Sequence, residues 1–463
     1  MSNLYRLLPS VDICLRQFRD TMYPHALLCD AVNAFLSEKR GQIKDNLIKA
    51  EDLKEEKLFS ALKEYVCYAL SPRVKKVINA SGVVIHTNLG RSVLAKEALD
   101  AVNLAASGYC NLEFDLEKGE RGSRHTLVEK DICKLTGAEA ALVVNNNASA
   151  VYLVLNSLCF GGEVIVSRGE LVEIGGSFRI PEVMKQSGTA LHEVGTTNKT
   201  HLKDYQDAFS ENTKAVLKVH TSNYRIIGFQ ADVPNHELAE FAHSRNIPLI
   251  HDLGSGSLID LSAFGLRNEP TVKGIVASGI DIVTFSGDKV LGGPQAGIIA
   301  GKKEYIDRIK KNQMLRALRC DKLTLSALSA TLRLYYDEKL AFEKIPTLNA
   351  LTASKDILKK KAKRLHNMLK GIMPKEKVKL TVEENISRVG GGAFPETDLP
   401  TYAVCVEFLE KNSAFSAKAW KERFLKTDPP IVGRVERDKF LFDVRTIANE
   451  EFILIRNCIL SIL

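Results

Sequence analysis

Six short apolar runs, each closed by a polar or glycine-rich segment, constrain this chain more than any other feature. They span residues 141–144, 163–166, 215–220, 248–251, 282–285 and 297–300. Stretches with helical periodicity separate them. This alternation predicts βα units around a mostly parallel sheet, an α/β fold. In such sheets ligands gather beyond the carboxyl ends of the strands, and the polar motifs fall there.

The chain has 463 residues, 45% of them hydrophobic and 26% charged, a globular composition long enough for two or three domains. We expect a small N-terminal helical unit at 1–66, a large α/β domain at 67–336 and a C-terminal α+β domain at 337–463. Apolar periodicity near 11–18, 26–36 and 57–66 marks three helices in the first, with Pro9 and Pro24 near helix starts and Pro72 as a stop. No apolar run approaches the ~18–20 residues that cross a bilayer. The N-terminal residues lack the pattern of a secretion signal. Nine cysteines without a C-x-x-C pair argue against a disulfide framework or a zinc site. These features predict a cytoplasmic protein with no metal and no membrane contact.

The net charge is +8, and residues 355–379 alone hold ten basic side chains against two acidic ones. Such a run is ordinarily a solvated helix face. The alternative is a track for a polyanion such as RNA.

Four motifs then occur in chemical order. Asn145-Asn146-Asn147-Ala148-Ser149 follows a strand and opens a helix, exposing free N–H groups that suit a phosphate. Alone it is usually an N-cap. His220-Thr221-Ser222-Asn223 offers hydroxyl and amide groups, or simply a turn. His251-Asp252-Leu253-Gly254 puts a carboxylate at a strand end, where a cap is the bland reading. Ser286-Gly287-Asp288-Lys289, followed by Gly292-Gly293-Pro294, sets a lysine in a tight turn after a strand. A phosphate cradle, an Asp, and a Lys 37 residues later suit pyridoxal 5'-phosphate (PLP). Lys289 would bind its aldehyde, Asp252 its ring nitrogen, and Asn146, Asn147, Ala148, Ser222 and Ser286 the rest.

The segments Asn79-Ala80-Ser81-Gly82, His86-Thr87-Asn88-Leu89-Gly90-Arg91, Gly119-Glu120-Arg121-Gly122-Ser123-Arg124-His125, 286–294 and Arg316-Ala317-Leu318-Arg319 resemble the bacterial selenocysteine synthases, the L-seryl-tRNA(Sec) selenium transferases. The resemblance covers essentially the whole chain. It implies an aspartate-aminotransferase-like PLP fold, a homodecamer built from dimers, and a tRNA-gripping N-terminal unit. It also implies that Lys289 is the aldimine lysine and that Arg91, Arg316 and Arg319 bind selenophosphate. The activity implied is conversion of seryl-tRNA(Sec) to selenocysteyl-tRNA(Sec) through an aminoacrylyl-tRNA intermediate.

The residues themselves agree on chemistry. Arginine forks suit an oxyanion, and Arg316 and Arg319, three apart, are expected to share a helix face. Two solvated helix arginines are the bland alternative. Arg121 and Arg124 either reach a neighbouring subunit's site or brace a loop. The substrate carboxylate is esterified, so Arg434 and Arg445 are expected to be structural. Residues 1–66 carry ten basic and ten acidic side chains, so charge gives no support to tRNA binding there. Two rival readings exist: a PLP lyase for a small free amino acid or amino-sugar acid, and a non-catalytic RNA-binding relative.

Overall fold

The structure is a computed structural model that describes residues 4–463, apart from 175, 177, 222, 225, 268, 396 and 410–414. The chain divides into two compact units, Met1–Lys76 and Val77–Leu463.

In the first unit, helices Val11–Arg16, His25–Lys44 and Glu55–Leu70 enclose their own core. Leu28, Ala31, Val32, Phe35 and Leu36 recur at three- and four-residue steps, as do Leu58, Leu62 and Val66, and all are buried. Phe35 and Tyr65 meet with ring centroids 5.5 Å apart. Pro24 precedes its helix, where its missing N–H costs nothing.

The second unit contains a seven-stranded sheet, and all six apolar runs are strands of it. Its spatial order is Ala140–Val144, Gly297–Gly301, Ile282–Ser286, Leu249–Gly254, Thr213–Val219, Glu163–Ser167, Ala190–Val194. Every pairing is parallel except those of Gly297–Gly301, which runs against both neighbours. Helices cover both faces, so the strands are apolar on both sides. Ala141 and Val143 enter one core, while Leu142 and Val144 enter the other. The expected α/β architecture with a mostly parallel sheet is what forms.

A six-stranded sheet carries the rest, in the order Ile78–Ala80, Ile431–Glu436, Lys439–Asp443, Asp398–Phe408, Val378–Gly390, Val83–Ile85. The consecutive strands Ile78–Ala80 and Val83–Ile85 end this sheet at its two edges. Trp420, Phe424, Phe440 and Phe442 fill its core. The basic run forms helix Lys355–Lys370, which buries Leu358, Ala362, Leu365 and Leu369 against that sheet and turns Lys359, Lys360 and Lys363 outward. Among the described residues, no helix is long and apolar enough to cross a membrane.

The residues after Gly301 form several helices rather than one. These are Lys303–Lys310, Leu315–Leu318 and Lys322–Leu334. Asp321 caps the third by accepting from the N–H groups of Leu323 and Thr324, at 2.7 and 2.9 Å, which requires an extended lead-in. Arg319 therefore lies beyond its short helix with φ −67° and ψ 145°. It shares no helix face with Arg316, contrary to the spacing argument.

Candidate active site

Strand ends of the large sheet bring the motifs together. Asn146 is the N-cap of helix Asn147–Cys159, its Oδ1 accepting from Ser149 N at 2.9 Å. That side chain is committed to the cap, so any anion here would meet backbone N–H groups and the helix dipole. Strand Gly297–Gly301 runs close by. A Cβ on Gly297 would sit 2.1 Å from the Asn146 carbonyl oxygen, so only glycine fits.

Asn147 points to the carboxylate instead. Its Nδ2 donates to Asp252 Oδ1 at 2.8 Å, and Thr284 Oγ1 donates to the same oxygen at 3.1 Å. Asp252 is 5% exposed. Burial pushes its carboxyl above the usual range, while the Asn147 bond and the Lys289 charge pull it back.

Lys289 is 7% exposed. Its turn is closed by Gly287 N to Ala296 O at 2.8 Å, Gly293 N to Gly287 O at 2.8 Å, and Val290 N to Ser255 O at 3.1 Å. Ser92 Oγ donates to the Lys289 carbonyl at 2.6 Å. Burial lowers the amine's pKa below the ordinary lysine range, with Asp252 opposing the shift and Arg91 adding to it. The uncharged amine is the form that attacks an aldehyde or accepts a proton, and burial shifts Lys289 in that direction. Ser286 is buried at the end of its strand. Ala148 lies in the first turn of the Asn147 helix. Ser222 lies outside the described residues; its neighbour His220 donates its backbone N–H to Asp252 O at 2.9 Å.

Three buried polar atoms near this centre lack a hydrogen-bond partner: Asn147 Oδ1, Ser255 Oγ and His220 Nε2. His220 Nε2 lies 3.4 Å from Glu269 Oε1, though without hydrogen-bond geometry. Burying unpaired polar groups is costly, so such a cluster marks a place built for a polar ligand. With a buried lysine, a buried carboxylate and a helix N-terminus converging, the residues present fit PLP.

The arginines divide into two groups. Arg91, with φ +63°, donates Nη1 to Asp288 Oδ2 at 2.7 Å, beside Lys289. Arg316 and Arg319 line a separate cavity with Arg121 and Arg124, and Arg91 is not among its walls. An isolated backbone bridge between Val144 and Arg319, with Asn145 N donating to Leu318 O at 2.9 Å, pins this segment to the strand before the Asn147 helix. Arg124 braces the loop through Glu113 and the Cys320 carbonyl. Arg445 donates to the carbonyls of Ala350 and Pro400 at 2.6 and 2.7 Å. Arg434 donates to Ile386 O and Asp443 Oδ2 at 2.8 and 3.1 Å.

Asp288, Thr284, Ser92 and Glu113 escaped the sequence reading. Asp288 had a signal, its adjacency to Lys289. Thr284 had a weaker one, a hydroxyl in an otherwise apolar strand. Ser92 and Glu113 act through contacts spanning 197 and 206 positions, which no local pattern reveals.

Residues 77–448 match the family described as SelA, L-seryl-tRNA selenium transferase. An L-seryl-tRNA(Sec) selenium transferase of Desulfovibrio desulfuricans is 53% identical over 459 residues, covering 97% of this chain and 96% of that protein. One from Clostridium botulinum strain Okra is 49% identical over 456 residues, covering 98% and 97%. Among solved structures, D-glucosaminate-6-phosphate ammonia-lyase superposes with a TM-score of 0.57 at 22% identity, covering 84% of this chain and 96% of that one, a likeness of fold. On this near full-length similarity, the chain belongs to the L-seryl-tRNA(Sec) selenium transferase family.

Proposed function

We propose that this protein converts the serine of seryl-tRNA(Sec) to selenocysteine, with PLP as cofactor and selenophosphate as selenium donor. The observation that carries the reading is the buried Lys289 amine beside the buried Asp252 carboxylate, in a chain half identical to transferases of that name.

Lys289 would hold the cofactor's aldehyde and Asp252 its ring nitrogen. Ser286 and the N–H groups at Asn147 and Ala148 would hold its phosphate. When bound, PLP supplies an electron sink for the pair left at the substrate Cα. A cation at the ring nitrogen gives Asp252 the partner its burial demands, and Asn147 and Thr284 fix the carboxylate's direction. Lys289, its pKa lowered by burial, takes the Cα proton and later returns it. The β-hydroxyl departs with a proton as water, the donor's selenium bonds to Cβ, and water cleaves the Se–P bond to release inorganic phosphate. Arg316 and Arg319 present forked donors to the phosphate of the selenium donor. Arg91 stands at the Lys289 end, aimed by Asp288.

Residues 1–66 are proposed to grip the tRNA, by shape more than by charge. A cytoplasmic homodecamer, a pentamer of dimers, completes the proposal. The test is turnover of seryl-tRNA(Sec) with selenophosphate by the purified protein, against free serine as a control. Selenocysteyl-tRNA formation that vanishes in Lys289→Ala is the expected result. Comparable turnover of free serine, without tRNA product, would instead identify a lyase.

A further inference from the structure

The arginine cavity contains one carboxylate, placed where an anion would compete with it. Glu113 Oε1 accepts from Arg124 Nε at 2.9 Å and from Arg124 Nη2 at 2.5 Å. The remaining fork of Arg124 goes to the Cys320 carbonyl at 2.6 Å, and the residue is only 9% exposed. The same Glu113 oxygen lies 3.5 Å from Arg319 Nη1, and those two side chains are 34% and 36% exposed.

These contacts are unequal. Arg124 is anchored by short, buried, charge-assisted bonds. The Arg319 contact is long and solvated, the kind of pair worth little. Lys310, another wall of the cavity, is already paired with Glu129 at 2.7 Å. Arg121 and Arg316 also line the cavity and show no carboxylate within 4 Å among the described residues, although Arg121 is near enough to help hold the Glu113 carboxyl below its usual range. An oxyanion entering here can take Arg319, Arg316 and Arg121 without disturbing the Arg124–Glu113 pair. Glu113 then remains beside it as a like charge.

We propose that Glu113 is a resident counter-charge at the cavity wall that loosens the hold of Arg319 and its neighbours on a bound anion. The inference rests on the reading of this cavity as the donor site. Once selenium has been transferred, the spent donor is an inorganic phosphate that must leave before the next turnover. A cavity of arginines alone would retain it; a fixed negative charge at its wall speeds exchange. Glu113 thus acts through its charge on release of the spent donor.

The probe is inorganic phosphate, titrated calorimetrically into the full-length, cofactor-loaded protein. Glu113→Gln retains an acceptor for Arg124 but drops the charge. It should bind phosphate about tenfold more tightly than wild type and be inhibited by correspondingly less phosphate. Glu113→Asp keeps the charge and should stay within about twofold of wild type. A residue that merely braces the loop would give the opposite sign for Gln, weaker binding with a lower melting temperature. Phosphate binding by Gln equal to or weaker than wild type, or tightening by Asp as well, overturns the role of Glu113 and leaves the donor reading standing. Wild-type protein that ignores phosphate, or binds it equally after Arg316→Ala, overturns both.

Discussion

Asn147 and Asp252, 105 positions apart, meet in a 2.8 Å hydrogen bond that ties the start of a helix to the end of a strand. On the proposed reading, this one contact would set both the phosphate end and the ring-nitrogen end of the site. It also gives the buried carboxylate a fixed direction, together with Thr284.

Asn147→Ala removes that donor from a fully buried carboxylate, so Asp252 rises further above the usual carboxylate range. We expect PLP affinity to fall about tenfold, the cost of roughly one lost charged hydrogen bond. Fluorescence titration of apo-protein with PLP measures it; unchanged affinity would detach Asn147 from the site.

The buried Lys289 amine makes stability pH-dependent in the apo-protein. Its folded pKa lies below the unfolded value, with burial as the main cause. The protonated folded form is penalised in full below the folded pKa, and the penalty disappears by the unfolded value of about 10.4. Wild type should therefore gain stability relative to Lys289→Met as pH rises from neutrality towards 10. Melting temperatures of both apo-proteins across that range test this, and parallel curves would contradict it.

The two arginine groups should fail differently. Arg319→Ala is expected to raise the KM for selenophosphate about 10–100-fold, the loss of one or two charged hydrogen bonds, while PLP binding is unchanged. Arg91→Ala leaves Asp288, beside Lys289, without its ion pair, so it should also alter the absorbance of the bound cofactor. Steady-state kinetics with spectra of both variants distinguish these outcomes.

Gly82 shows how tightly the C-terminal sheet is built around Asp443. That carboxylate accepts from Ser387 at 2.8 Å, Thr401 at 2.9 Å and Arg434 at 3.1 Å. Gly82 has φ +77°, and a Cβ there would lie 2.1 Å from Asp443 Oδ2. Gly82→Ala should destabilise by roughly 3 kcal/mol or more, from combined clash and strain. A urea midpoint shift worth less than about 1 kcal/mol would contradict the packing.

What was legible in the sequence had a local cause. The six strands announced themselves because a doubly covered sheet needs apolar residues on both faces, and Lys289 and Asp252 because strand ends carry the chemistry. Arg319 was misplaced because a three-residue spacing reads as helix until Asp321, a cap, is given its due. The Asn147–Asp252 bond, the Arg91–Asp288 pair and the Glu113–Arg319 contact join distant positions, and no window of sequence holds both partners. Strands Ile78–Ala80 and Val83–Ile85 likewise give no sign that they border a sheet built mostly from residues after 377.

The central claim is a covalent link between Lys289 and the aldehyde of PLP. Borohydride reduction of the cofactor-loaded protein, followed by peptide mass spectrometry, reads that link directly. The account predicts a single pyridoxyl adduct on the peptide containing Lys289, absent in Lys289→Ala. An adduct on another lysine, or none on a protein that still turns over seryl-tRNA, would contradict it.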